Sequence, residues 1–188
     1  MAAPSKITGT AVKPEKPKDT GRFITGTEGW KITLAAKLWE DTPYAPQQTA
    51  SKPVAGSDKY AGGNPVKKKG ADCSGSVWAI YKEAGFSYGP YTNTAGFKEL
   101  VGTDEKFVKG GHFFKRVSMP QAGDIGWWQG HMAIYDKDVG KTDKGQDGNV
   151  WSASSPTSPR KFGPGRIDWY DNKNGAGAVT WYRYWKAS

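Results

Sequence analysis

One cysteine, Cys73, stands in 188 residues, and there are only two histidines, His112 and His131. A lone cysteine excludes an intramolecular disulfide and a zinc site built from several cysteines. No stretch approaches the ~18 consecutive apolar residues of a membrane-spanning helix, so no membrane insertion is expected. Residues 1–18 lack the apolar core of a secretory leader. The expectation is synthesis in the cytoplasm without a visible signal peptide, with any export by another route. Zinc-finger spacing, an RNP-type aromatic motif and a basic helix with heptads are all missing, which sets nucleic acid aside as a partner.

Positive charge is plentiful instead. The formal net charge of +9 favours an anionic partner, and an anionic cell-wall polymer ranks above nucleic acid or lipid. Nine Trp and nine Tyr are enough for a real core and for an aromatic-lined cleft. Residues 1–22 are rich in Lys, Pro, Thr and Gly and read as a flexible basic tail, because they offer little apolar surface to bury. Residues 23–188 then form a single domain. Ile32, Ala35, Ala36 and Trp39 share one helical face, and Asp41-Thr42-Pro43 stops that helix. Residues 45–70 lack periodicity and read as a long loop, with Lys67, Lys68 and Lys69 either solvated or steering a substrate.

A second helix is predicted from Val77, Ile80, Tyr81 and Ala84, with Gly85 as its stop. Turn residues 88–94 follow, and a short helix runs from near Thr94 through Phe97 and Leu100. The second half reads as strands: 113–117, 125–128, 131–135, 150–154 and 178–185. Gln129-Gly130 is a short hairpin connection, and 155–165 is proline-rich and irregular. Helices first and strands later give an α+β fold, with N-terminal helices packed on a central antiparallel β-sheet.

Cys73 sits where the second helix begins. Asp72 is a good N-cap, which puts Cys73 in the first turn, where unpaired backbone N–H groups and the helix dipole favour a thiolate. A cysteine nucleophile needs a base and a group to orient that base. His131 opens a strand after a tight hairpin, a rigid position; His112 follows Gly110-Gly111 in a loop. The expectation is a Cys73–His131 pair. A buried, inert Cys73 is the competing account.

The run Asp72-Cys73-Ser74-Gly75 opening a helix, then Gly123-Asp124-Ile125 and the strand His131-Met132-Ala133-Ile134-Tyr135, resembles the NlpC-type papain-like cysteine peptidases of bacterial cell walls. Thr42-Pro43-Tyr44 is similar to the turn after that family's first helix. The resemblance covers roughly residues 30–155. It implies a papain-like NlpC-type fold with Cys73 as nucleophile and His131 as general base. The family's third polar residue, often a His, falls here on Ser152, which can accept an imidazole hydrogen bond but carries no charge. The resemblance further implies that the Tyr44 hydroxyl helps hold the oxyanion, that Asp72 binds a peptide-stem amine as well as capping the helix, and that Ser74 contacts substrate. Trp127, Trp128 and Trp151 either wall the cleft or belong to the core.

The implied function is a peptidoglycan amidase or endopeptidase that cuts peptide stems or cross-links. It needs no metal or cofactor, and it acts in the periplasm or cell wall after secretion. The tail and small size resemble a type VI secretion amidase effector, for which a cognate immunity protein is implied; a phage lysin fits the same features. A non-catalytic binder of cell wall or other anionic polymer, and an acyltransferase on the same scaffold, stay open beside it.

Overall fold

The computed structural model describes residues 21–44, 65–68, 70–103, 112–153, 161–172 and 177–186. The expected tail falls almost wholly outside these residues, as does most of the loop expected at 45–70. Two helices, α1 (Gly26–Leu38) and α2 (Cys73–Glu83), pack on a seven-stranded antiparallel open sheet, an α+β architecture. The strands are β1 (Arg22–Phe23), β2 (Phe114–Val117), β3 (Ile125–Trp128), β4 (His131–Tyr135), β5 (Val150–Ser152), β6 (Gly163–Gly165) and β7 (Thr180–Lys186). Their order is β1-β7-β3-β4-β5-β6, with β2 also paired to β7. Trp181 and Tyr182 pair with both β2 and β3, so those two strands take opposite edges of β7. No described helix is long and apolar enough to cross a membrane.

Strand alternation divides the core in two. Ile125, Trp127, Met132, Ile134, Trp151, Tyr182 and Tyr184 face the helices and meet Ile32, Ala36, Val77, Ile80 and Tyr81. Trp128, Ala133, Val150 and Trp181 face the other way and gather around Tyr170. The helix-side cluster is largely aromatic. Phe114 lies 4.9 Å from Phe97, 5.1 Å from Tyr88 and 5.5 Å from Tyr184 between ring centroids, mostly at steep angles. Each such ring, fully buried, contributes roughly 1.5–3 kcal/mol.

Helix α1 starts six residues before Ile32, the first residue of the periodic face that marks it in the sequence. The reason is a capping box: Glu28 N–H donates to Thr25 Oγ1 at 3.2 Å, and Thr25 N–H donates to Glu28 Oε2 at 2.8 Å. Arg22 reinforces Glu28 from outside, with Nη1 2.6 Å from Oε2. Helix α2 runs as its apolar spacing predicts. Asp72 is its N-cap, and Gly85, at φ 87°, adopts the left-handed conformation just beyond its end. Trp39 Nε1 ties the two helices together by donating to Glu83 Oε2 at 2.9 Å.

The corner before β3 locks helices to sheet. A Cβ on Gly29 would lie 2.0 Å from the Ala122 carbonyl oxygen, and one on Gly123 would lie 2.7 Å from Gly29. Two glycines therefore let α1 and the corner touch backbone to backbone. Next to them Asp124 is fully buried. Arg183 on β7 grips it with a fork, Nε to Oδ1 at 2.9 Å and Nη2 to Oδ2 at 2.8 Å. Tyr81 of α2 donates its hydroxyl to the Gly123 carbonyl.

Strands β1 and β6 and a 3₁₀ turn over Ile167–Trp169 escape the sequence pattern. Strand β6 is Gly-Pro-Gly inside the segment expected to be irregular. Proline is tolerated because β6 is an edge strand, pairing on one side with β5. The short helix expected from Thr94 is a 3₁₀ turn over Gly96–Leu100.

Replacing Arg183 with Met leaves the Asp124 carboxylate buried and unpaired. A loss of about 3–5 kcal/mol is expected in urea unfolding, and a loss below 1 kcal/mol would show the pair to be dispensable. The Glu28 carboxyl is held down to about 2, first by Arg22 and then by Thr25 N–H. A depressed folded value means that its stabilisation is complete above its unfolded value near 4.3 and is lost as pH falls toward 2. Glu28→Gln should therefore flatten the melting temperature over that interval; an unchanged acid limb would refute the assignment.

Candidate active site

Everything around Cys73 follows from the start of α2. Asp72 Oδ1 accepts Gly75 N–H at 2.6 Å, which caps the helix and seats Cys73 at its first position. The same oxygen accepts Ser74 Oγ at 3.2 Å, and Ser74 Oγ meets the Tyr91 hydroxyl at 2.9 Å. Tyr44 arrives from the other side. Its strand-like bridge to Ala71 and the bond from Ala71 N–H to Pro43 O at 3.1 Å lay the 42–44 turn beside the cap. Phe162 N–H, donating to Thr42 O at 2.7 Å, holds the turn's far edge.

The sulfur lies against β4. Its hydrogen-bonding neighbours are the Thr94 hydroxyl, with Sγ to Oγ1 at 3.8 Å, and the backbone N–H groups of Met132 and Ser74. Met132 lies one residue past the last β4–β5 pair, Ala133 with Ser152. One peptide bond separates its N–H from His131.

His131 leaves β4 on the face turned away from α2, as alternation requires. Its Nε2 lies 3.0 Å from Ser152 Oγ. Tyr170 stacks on the imidazole at 4.2 Å between centroids, and Trp128 lies 5.6 Å away. Trp128 Nε1 donates to Asp171 Oδ1 at 2.8 Å, and Val179 N–H reaches the same oxygen at 3.1 Å, which fixes the turn that carries Tyr170.

The thiol does not follow the expectation for a helix N-terminus. Burial pushes Cys73 above its ordinary value, and the Asp72 carboxylate adds to the push; the bonds from Thr94, Met132 N–H and Ser74 N–H act downward without reversing it. Cys73 nonetheless keeps 8% of its surface, as do Asp72 and Thr94, while Ala71 and Val77 on either side keep 1%. Tyr91 is pushed up to about 12, mainly by burial, opposed by Ser74 and supported by the negative charge that Asp72, Cys73 and Tyr44 can carry.

The structure therefore brings Tyr44, Asp72, Cys73 and Ser74 together, and His131 with Ser152. The other expected residues lie elsewhere or in other roles. Trp128 and Trp151 are core, and Trp127 is half-buried with its Nε1 donating to Thr94 O at 2.9 Å. His112 sits half-buried just before β2. Lys67 is tethered to Glu83 at 2.5 Å, and Lys68 Nζ donates to Glu40 O. Thr94, Tyr91, Tyr170 and the Met132 N–H carry no sequence signal. They lie in turns, in an unpatterned stretch or in the backbone, and only packing brings them to the site. Among the described residues no group of three or more His, Cys, Asp or Glu is gathered to hold a metal ion.

Protein-family models, curated proteins and solved structures give no match to this chain. Cys73 and His131 lie on opposite sides of β4, the thiol against the helix-side core and the imidazole against Tyr170 and Ser152; a buried neutral thiol is suited to a nucleophile whose proton leaves as it attacks, rather than to a standing thiolate.

That state has a direct test. The pH midpoint for alkylation of Cys73 in the folded protein is expected above the ordinary thiol range and should return to about 8.5 in urea. A folded midpoint below 8 would mean a pre-formed thiolate.

Proposed function

We propose that this chain is a papain-like cysteine amidase of the NlpC type that hydrolyses an amide bond in the peptide stem or cross-link of bacterial peptidoglycan. One observation carries the proposal: Cys73 opens α2 where that helix packs on β4, and the first residue of β4 is a histidine whose Nε2 is held by Ser152. In the proposed mechanism, Nε2–H donates to Ser152 Oγ, which leaves Nδ1 as the basic nitrogen. Nδ1 takes the thiol proton as Sγ attacks the carbonyl carbon. The developing oxyanion is held by the Cys73 N–H and the Tyr44 hydroxyl. The imidazolium then protonates the departing amine, leaving a thioester. Water, deprotonated by Nδ1, attacks the thioester, and the returning proton regenerates the thiol.

In this scheme Asp72 has a second role. Its bonds from Ser74 and Gly75 fall on Oδ1, and the carboxylate meets the amine of a peptide stem, with Ser74 and Tyr91 beside it. The net charge of +9 suits an anionic envelope. The proposed place of action is the periplasm or cell wall after delivery, as by a type VI secretion system, with an immunity protein guarding the producing cell; a phage lysin would share the chemistry. The low exposure of Cys73 favours a second reading, a non-catalytic binder of cell wall in which the sulfur only packs.

Purified peptidoglycan decides between them. Cys73→Ala should abolish amine release while binding persists, and His131→Ala should slow it about 10²–10⁴-fold. Ser152→Ala should cost about tenfold, because orientation is lost without loss of a charge. Equal release from Cys73→Ala and wild type would leave only the binder. Transfer of the acyl group to an added amine in preference to water would make the protein an acyltransferase. Mass analysis of products from defined muropeptides assigns the bond, either γ-D-Glu to diaminopimelate or diaminopimelate to D-Ala.

A further inference from the structure

We infer that Thr94 is a positioning residue for the nucleophile: its hydroxyl donates to Cys73 Sγ, aims the sulfur and supports the charge that forms on it. Thr94 is buried to the same degree as Cys73, and its Oγ1 lies 3.8 Å from the sulfur. Sulfur accepts hydrogen bonds at longer range than oxygen, and a hydroxyl rotor can turn its proton toward a thiolate. A thiolate in a buried site needs such donors, because burial disfavours its charge. The other two donors to this sulfur, the N–H groups of Met132 and Ser74, are backbone. Thr94 is therefore the one of the three that a side-chain substitution can remove.

The surroundings hold Thr94 still from several directions. Trp127 Nε1 donates to its carbonyl at 2.9 Å, and Lys98 Nζ lies 4.4 Å from the centroid of the Trp127 ring. Asn93, the preceding residue, accepts Gly96 N–H on Oδ1 at 2.9 Å and Phe97 N–H on its carbonyl at 3.0 Å. The donor is thus carried on a fixed turn and stapled to β3, the strand beside β4. Fixed donors aimed at developing charge need no reorganisation when that charge appears. A threonine that only filled space would need a methyl and a volume; this one has its hydroxyl against the sulfur.

The inference rests on the amidase reading for its effect on turnover, but the thiol chemistry can be tested without substrate. In alkylation by iodoacetamide, Sγ forms a bond to carbon and iodide leaves, so the rate follows the thiolate fraction. Thr94→Val keeps the shape and removes the hydroxyl. It should raise the alkylation midpoint by about one pH unit, the size expected from losing one hydrogen bond to a charged group. Thr94→Ser should restore most of the shift, which a purely structural role would not do. Should Thr94→Val fail to fold, Thr94→Ala against Thr94→Ser makes the same comparison. An unmoved midpoint in the hydroxyl-free variants, or an equal shift in Thr94→Ser, would overturn the inference. A wild type that shows the predicted midpoints but releases no amine from peptidoglycan would defeat the amidase reading and leave the role of Thr94 standing.

Discussion

The seating of α2 on β4 is the constraint from which the rest of the site follows. Val77, Ile80 and Tyr81 bury that helix against the sheet, so its first residue has only one place to go. Capped by Asp72, the helix begins with Cys73 at the strand, and the Thr94 hydroxyl lies 3.8 Å from the sulfur. Hydrophobic burial supplies the force here and hydrogen bonds supply the address. The Gly29–Gly123 contact and the Asp124–Arg183 fork brace the same assembly from the other end of β4.

A strand cannot present two neighbouring side chains on one face. His131 and Met132 therefore point to opposite sides of the sheet, and the sulfur comes from the Met132 side. In the proposed chemistry the imidazole reaches the sulfur around the start of β4, beyond the last β4–β5 pair. The His131 ring is gripped on its own face by Tyr170 and Ser152. Each partner of the proposed pair is thus held by a different layer of the molecule. One layer is the helix-side core and the other is the cluster around Trp128 and Tyr170.

Burial has opposed effects on a cysteine in such a position. It shields the sulfur and fixes its direction, but it also disfavours the thiolate, and the Asp72 cap adds a negative charge beside it. The helix N-terminus alone would act the other way. Desolvation wins because Cys73 is packed among Ala71, Val77 and β4 rather than standing free in the first turn. The same carboxylate that makes the helix start at Cys73 therefore raises the proton affinity of its sulfur.

Local chemistry by itself determined much of this protein. Alternation put Met132 and Ile134 on one face of β4 and His131, Ala133 and Tyr135 on the other. The Asp72 cap and the Gly85 stop bounded α2, and the order of helices before strands gave the α+β class. These signals are short-range, so they survive without a partner chain segment. The start of α1 was written there too, in Thr25 and Glu28, but glycines at 26 and 29 blurred its periodicity. Tertiary structure alone decided that Ser152 would reach His131, that Tyr170 would stack on the ring, that Thr94 would meet the sulfur, and that β6 would be a strand. Each of these depends on segments tens of residues apart being brought together by the two cores, and nothing local to Thr94 or Tyr170 encodes its distant neighbour. The state of the thiol belongs with them, because desolvation is a property of everything packed around an atom.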